Sequence, residues 1–268
     1  MKRFVYTLPL VAALVLPAAI HAETPEASVI VDKMIAALDN GGFSDLGVLR
    51  LEVVEEQTRN DGVANTKEFT AYVDTSSLDN LRMEMGKGVV IARQGASGWA
   101  MDKGVVDDRP QTPFMVKGTL NQSIFPILLP YTLKMDGVWV KEVVETTWEG
   151  KDAWLLLVPF TKGFFISPVL TTTWRVLVDK TDYSILAVDF LPPADLRNVQ
   201  PMGIRYRVLK YDDVEGVKIP SWTLSVGMNL KGQESGATRV TKVSTTVYGP
   251  WEAGLFIDPV RLEALGGE

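Results

Sequence analysis

The sequence predicts an α+β protein that is mainly β, with one amphipathic helix followed by one large curved antiparallel sheet or barrel. Three observations carry that reading. Apolar and polar residues alternate at period two through most of the chain, tight-turn residues punctuate those runs, and a helical period is clear only near the start. At 268 residues, 46% hydrophobic with 22 Gly and 15 Pro, the chain can bury a substantial core and is neither collagen-like nor a disordered tail.

Lys2 and Arg3 precede an uncharged apolar run from Phe4 to Ala19, with small residues around Ala22. The run holds about 16 residues where a spanning helix needs roughly 20, so residues 1–22 are expected to be a cleaved signal peptide and 23–268 a single exported domain. His21 is the one histidine, so the mature chain would hold none. Thr24-Pro25-Glu26 then opens a helix with Ile30, Met34, Ala37 and Leu38 on one face, stopped at Gly41-Gly42.

From Leu46 the period changes to two. Leu49, Leu51 and Val53 share one face of a strand; Phe69, Ala71 and Val73 share that of the next; Leu81, Met83 and Met85, Val89 and Ile91, and Trp99 and Met101 continue the meander. Strands resume over 138–148, 153–158, 172–179, 185–190, 204–211, 217–228 and 239–248, so roughly ten or eleven are expected in one series. Trp154, Leu156 and Val158; Trp174, Val176 and Val178; and Leu186, Val188 and Phe190 are expected to face the interior. Leu155 and Leu157 are apolar on the other parity, which predicts cover on both faces. Leu255, Phe256 and Ile257 offer a further edge strand.

Hydrophobicity is out of place in two connections. Residues 110–131 carry Phe114, Met115, Val116, Leu120, Ile124, Phe125, Ile127, Leu128, Leu129 and Tyr131, while Pro126 and Pro130 allow at most short helical turns. The segment reads either as a lid over an apolar cavity or as a plug filling the core. Residues 163–170 include Phe164 and Phe165, which either close the end of a barrel or line the mouth of a cavity.

Catalytic chemistry finds little material. There is no cysteine, and without histidine a Ser-His pair or a Cys/His zinc site cannot form. Adjacent acids at Glu55-Glu56, Asp107-Asp108 and Asp212-Asp213 point to opposite faces of a strand, and the segment Asp212 to Gly216 lacks the acid rhythm of a calcium loop. No glycine-rich phosphate loop follows a strand. The net charge of −6 provides no cationic cluster for nucleic acid. No metal, cofactor or catalytic residue is expected, and a non-enzyme is.

Three motifs carry a family resemblance: Asp152-Ala153-Trp154-Leu155-Leu156-Leu157-Val158-Pro159, the strand Trp174 to Asp179 continuing through Lys180-Thr181-Asp182-Tyr183, and Tyr211 to Pro220 with Gly216 at its turn. With the order leader, helix, meander, apolar segment and hairpins, the chain resembles the LolA/LolB-like outer-membrane lipoprotein-sorting family over nearly all of residues 24–260. The resemblance implies an incomplete antiparallel β-barrel, or half-barrel, of about eleven strands closed by short helices, whose hydrophobic cavity takes acyl chains. It also implies an inner-membrane donor and an outer-membrane acceptor as partners. The acidic character and the large apolar segment suggest a divergent branch. None of Arg50, Arg82 or Arg93 can be aligned with a functional arginine of the family, and no Cys follows the leader to carry a lipid anchor.

The expected protein is therefore a soluble periplasmic carrier that shields acyl chains of a lipid or lipoprotein. Its expected lipid-binding residues are Trp99, Met101, Phe114, Phe125, Ile127, Leu128, Trp154, Leu156, Phe164, Trp174, Val176 and Phe190. Asp at Phe125 or Leu128 is expected to lose lipid and leave the sheet folded. An RseB-type envelope-stress sensor that binds lipid and a protein partner is the alternative, and a filled scaffold acting through its edge strands is a third reading.

Overall fold

A computed structural model describes residues 25–40, 42–166, 173–190, 202–229 and 231–264. The leader assigned to residues 1–22 lies outside them, as do residues 167–170 of the second apolar loop. Among the described residues, no helix is long and apolar enough to cross a membrane.

The strands are β1 (Val48–Thr58), β2 (Ala64–Asp74), β3 (Leu81–Met85), β4 (Val89–Gln94), β5 (Ser97–Asp102) and β6 (Val105–Val106), then β7 (Glu142–Trp148), β8 (Lys151–Val158), β9 (Trp174–Asp179), β10 (Ile185–Phe190), β11 (Met202–Val214), β12 (Val217–Asn229) and β13 (Glu234–Gly249). They form one open 13-stranded sheet in the order β6-β5-β4-β3-β2-β1-β13-β12-β11-β10-β9-β8-β7. The count exceeds the expected ten or eleven, although the alternating runs correspond to twelve of these strands; the thirteenth, β6, has two residues, too short for alternation to register. Two antiparallel meanders thus meet at a seam where β1 lies against β13, with Leu51 opposite Thr245 and Val53 opposite Val243.

One face of the sheet is covered by α1 (Ala27–Ala36) and α2 (Thr112–Ile124). Ile30, Val31 and Met34 anchor α1. Beyond its end, the Asp39 carboxylate accepts hydrogen bonds from the backbone N–H groups of Gly42 at 2.6 Å and Phe43 at 3.0 Å. Lys218 N donates to Leu38 O at 2.7 Å, so β12 holds the turn after α1 in place.

The order of strands explains the apolar segment. β6 and β7 are consecutive in the chain and form opposite edges of the sheet, so their connection must cross a whole face. A chain crossing an apolar face is itself apolar. Against the expectation of short turns, the segment contains a 13-residue helix, because Pro113 falls in the first turn, where proline is tolerated, and the next proline is Pro126.

The opposite face is partly covered. The C-terminal residues form α3 (Ala253–Phe256) and α4 (Pro259–Ala264) instead of an edge strand. Trp99 Nε1 donates to Phe256 O at 2.8 Å and Arg82 Nη1 to Leu255 O at 3.1 Å, which seats this segment on the first meander. In β10, a register shift between Ile185 and Ala187 puts Ile185, not Leu186, on the same face as Val188 and Phe190. Leu155 and Leu157 are half-buried, so the cover expected over that part of the second face is incomplete.

Candidate functional site

The crossover segment divides its side chains between two core clusters. Val116, Leu120, Ile124, Ile127, Leu128 and Tyr131 join the residues of β1 to β4, whereas Phe125, Leu129, Leu133 and Met135 join α1 and the strands β8 to β11. Polar bonds fix the path. Asn121 Nδ2 donates to Phe164 O at 2.9 Å, Thr132 Oγ1 to Phe125 O at 2.8 Å, and the Tyr206 hydroxyl to Pro126 O at 2.6 Å. Burial pushes the Tyr206 hydroxyl pKa upward, which keeps it a proton donor.

Phe125 stands at the centre of an aromatic group. Its ring meets Trp174 edge-on at 4.7 Å, and Phe160, Phe164 and Phe165 surround it at 5.3, 5.7 and 5.9 Å. Trp174 in turn meets Phe190 at 3.8 Å. Edge-to-face geometry of this kind adds to the burial of ring area.

The structure therefore brings Phe125, Trp154, Leu156, Phe164, Trp174, Val176 and Phe190 into one cluster, and places Ile127 and Leu128 in the neighbouring one. Phe114 is 54% exposed at the start of α2, with its ring lying over Gly163. Trp99 and Met101 fall elsewhere: Gly98 and Ala100 face α2, so Trp99 and Met101 point to the opposite face, where Trp99 bonds to the C-terminal segment.

Space remains at one end of the crossover. A cleft of about 460 Å³ opens between the first turns of α2 and strands β4 and β5, with Ile91, Ala100, Met115 and Val116 as apolar walls. Asp107 and Arg109 form a 2.6 Å ion pair at its rim, and Arg109 holds the Asp107 carboxyl well below its ordinary range. A second cleft of about 450 Å³ lies between the turn after α1 and the β2–β3 loop; Ser44, Thr75, Ser76, Ser77 and Asp79 make it more polar. Among the described residues no group of three or more His, Cys, Asp or Glu could hold a metal ion.

Sequence reasoning missed Met115, Val116, Ile91 and Ala100 as cleft walls, and the buried Arg93 two residues along β4 from Ile91. Arg93 carried a readable signal, since it follows Ile91 by two residues and so shares the apolar face of β4.

The sequence matches no family model and no curated protein. Solved structures are similar in fold. A LolA superfamily protein from Nitrosomonas europaea superposes with a TM-score of 0.59 at 12% identity, covering 88% of this chain and 100% of that one. The chain has a LolA-like fold. A DUF1329 family protein from Desulfovibrio piger ATCC 29098 gives a TM-score of 0.54 at 12% identity over 88% of this chain and 99% of its own. A domain from Vibrio parahaemolyticus named for outer membrane lipoprotein sorting gives 0.54 at 14% identity over 87% of this chain and 96% of its own. At identities of 12–14%, the likeness across these chains is one of backbone path.

That path depends on close contact between α2 and its surroundings. A Cβ on Gly118 would lie 2.8 Å from Ile166 N and 2.4 Å from Ile166 Cγ1. Gly118→Ala is expected to destabilise by about 1–3 kcal/mol, because overpacking outweighs the roughly 1 kcal/mol that alanine gains in a helix. Urea denaturation compares the two chains, and an unchanged midpoint would refute this packing.

Proposed function

We propose that this protein is a periplasmic carrier or binding protein that shields acyl chains of a lipid or lipoprotein, acting by binding and not by catalysis. The observation that carries the reading is the mainly apolar cleft beneath the start of α2, which borders the buried face of the sheet. Its volume falls in the range of small-molecule sites, roughly 300–1,000 Å³. Withdrawing acyl chains from water is worth about 0.8 kcal/mol per CH₂, so an apolar cleft of this size fits such cargo. The LolA-like fold supports the same reading, as one similar structure is named for lipoprotein sorting. The leader read from residues 1–22 would direct export, and delivery from the inner to the outer membrane would be the transport served.

Native mass spectrometry of the protein purified from periplasm tests this, with any adduct extracted and identified. A stoichiometric lipid or lipoprotein adduct is expected, and a clean apo mass that takes up no acyl probe would overturn the reading. Met115 is 44% exposed on the cleft wall, so Met115→Asp leaves the core intact. It is expected to weaken acyl-probe binding at least about tenfold, equal to about 1.4 kcal/mol, with little change in melting temperature.

A further inference from the structure

The buried face of the sheet holds one charge whose surroundings do not account for it. Arg93 is 1% exposed, yet only one of its three guanidinium nitrogens is bonded: Nη2 donates to Asp79 Oδ1 at 2.8 Å and to Leu78 O at 3.2 Å. Nε and Nη1 are buried without a partner. Orphaned donors are rare in native proteins, and on a cation they are costlier than on a neutral group. The counter-ion reaches only one end of the planar fork, so Nε and Nη1 keep unused donor capacity in a group built for bidentate recognition of an oxyanion.

Position adds an independent argument. Ile91, two residues earlier on the same face of β4, lines the apolar cleft, whereas Leu78 and Asp79, which accept the Arg93 bonds, line the more polar one. Arg93 itself lines neither cleft; it lies two positions along β4 from a wall of the first and is hydrogen-bonded to walls of the second. The Asp79 side chain is 29% exposed, so it can turn to water if another anion replaces it.

We propose that Arg93 is the head-group anchor of the lipid site, and that the ligand is an acyl lipid whose head is an oxyanion, carboxylate or phosphate. The chain occupies the apolar cleft along Ile91, and the head takes the free Nε and Nη1 donors. This rests on the lipid-binding reading above and specifies its ligand class.

The test measures dissociation constants of palmitic acid, hexadecyl phosphate and methyl palmitate for the wild-type protein and for Arg93→Met, by displacement of a neutral fluorescent acyl probe. The wild type is expected to bind at least one of the two anions about tenfold or more tighter than the ester, and the tighter anion identifies the head chemistry. Arg93→Met is expected to lose that preference while its ester affinity stays within about threefold. Equal binding of all three by the wild type, or a preference that survives Arg93→Met, would overturn the anchor. Failure of the wild type to bind any of the three would instead strike the lipid reading itself. Should Arg93→Met not fold, Asp79→Asn removes the competing carboxylate, and is expected to increase the anion preference severalfold; an unchanged preference overturns the proposal.

Discussion

Phe125→Ala is expected to lower the free energy of unfolding by about 3–5 kcal/mol, a large share of the roughly 5–15 kcal/mol that holds a domain together. Phe125 is fully buried, and its ring is the common neighbour of Phe160, Phe164, Phe165 and Trp174. Truncation would leave a cavity walled by aromatic rings, which cannot collapse without moving α2 relative to β9. Phe114, 54% exposed one helix-length away, supplies the control: Phe114→Ala is expected to change stability by less than about 0.5 kcal/mol. Urea denaturation of both variants decides the matter, and equal midpoints would deny Phe125 its central place. The same burial corrects the expectation that Asp at Phe125 or Leu128 leaves the sheet folded, because both sites would bury an unpaired carboxylate.

Asp189→Ala is expected to cost about 1.5–3 kcal/mol, for a different reason. Asp189 and Arg205 are cross-strand partners on β10 and β11, joined bidentately at 2.8 and 2.9 Å, with side chains only 10% exposed each. The Arg205 guanidinium also stacks on Trp148 at the tip of the β7–β8 hairpin, 4.4 Å from the ring centroid. Removing the Asp189 carboxylate leaves the mostly buried Arg205 with Glu234 alone, 3.5 Å from its Nη1; removing both charges leaves no cation to compensate. The double variant Asp189→Leu with Arg205→Met is therefore expected to recover most of the loss, since a buried pair is often no better than apolar side chains of like volume. Thermal unfolding of the single and double variants reads the coupling directly. A double variant as unstable as the single one would show that the pair is individually indispensable.

The strands were legible because most bury one face. Leu51 and Val53 lie at 0–1% exposure between half-buried or exposed Arg50, Glu52 and Val54, and this is the pattern that a period of two detects. β5 misled for a physical reason. Its face toward α2 carries Gly98 and Ala100, and a Cβ on Gly98 would come within 3.0 Å of Pro113 O, so small residues are what let the helix approach. The large Trp99 and Met101 then fill the other face, where Trp99 is held under the C-terminal segment and Met101 packs beside it. A rule that sends the largest side chains toward the interior fails where both faces are packed. Leu186 misled through the shifted register, which no local spacing reveals.

Strand order was illegible for a further reason. Pairing of β1 with β13 depends on contacts between the two ends of the domain, and local alternation carries no record of the partner. The crossover helix followed from that order, so its course over the sheet could not be read before the edges were known.

The seam between the two meanders also governs how the chain reaches its folded state. Each meander can zip from hairpin to hairpin, but β1 must wait for β13, which is the last strand made. The entropy of closing so long a loop grows only logarithmically with its length, so the seam limits the rate of folding far more than the final stability. Until it closes, β1 and β13 each present an unpaired edge along their length, the form in which strands are recruited by other chains. A chain of this topology therefore carries two recruitable edges until its last strand has joined the first.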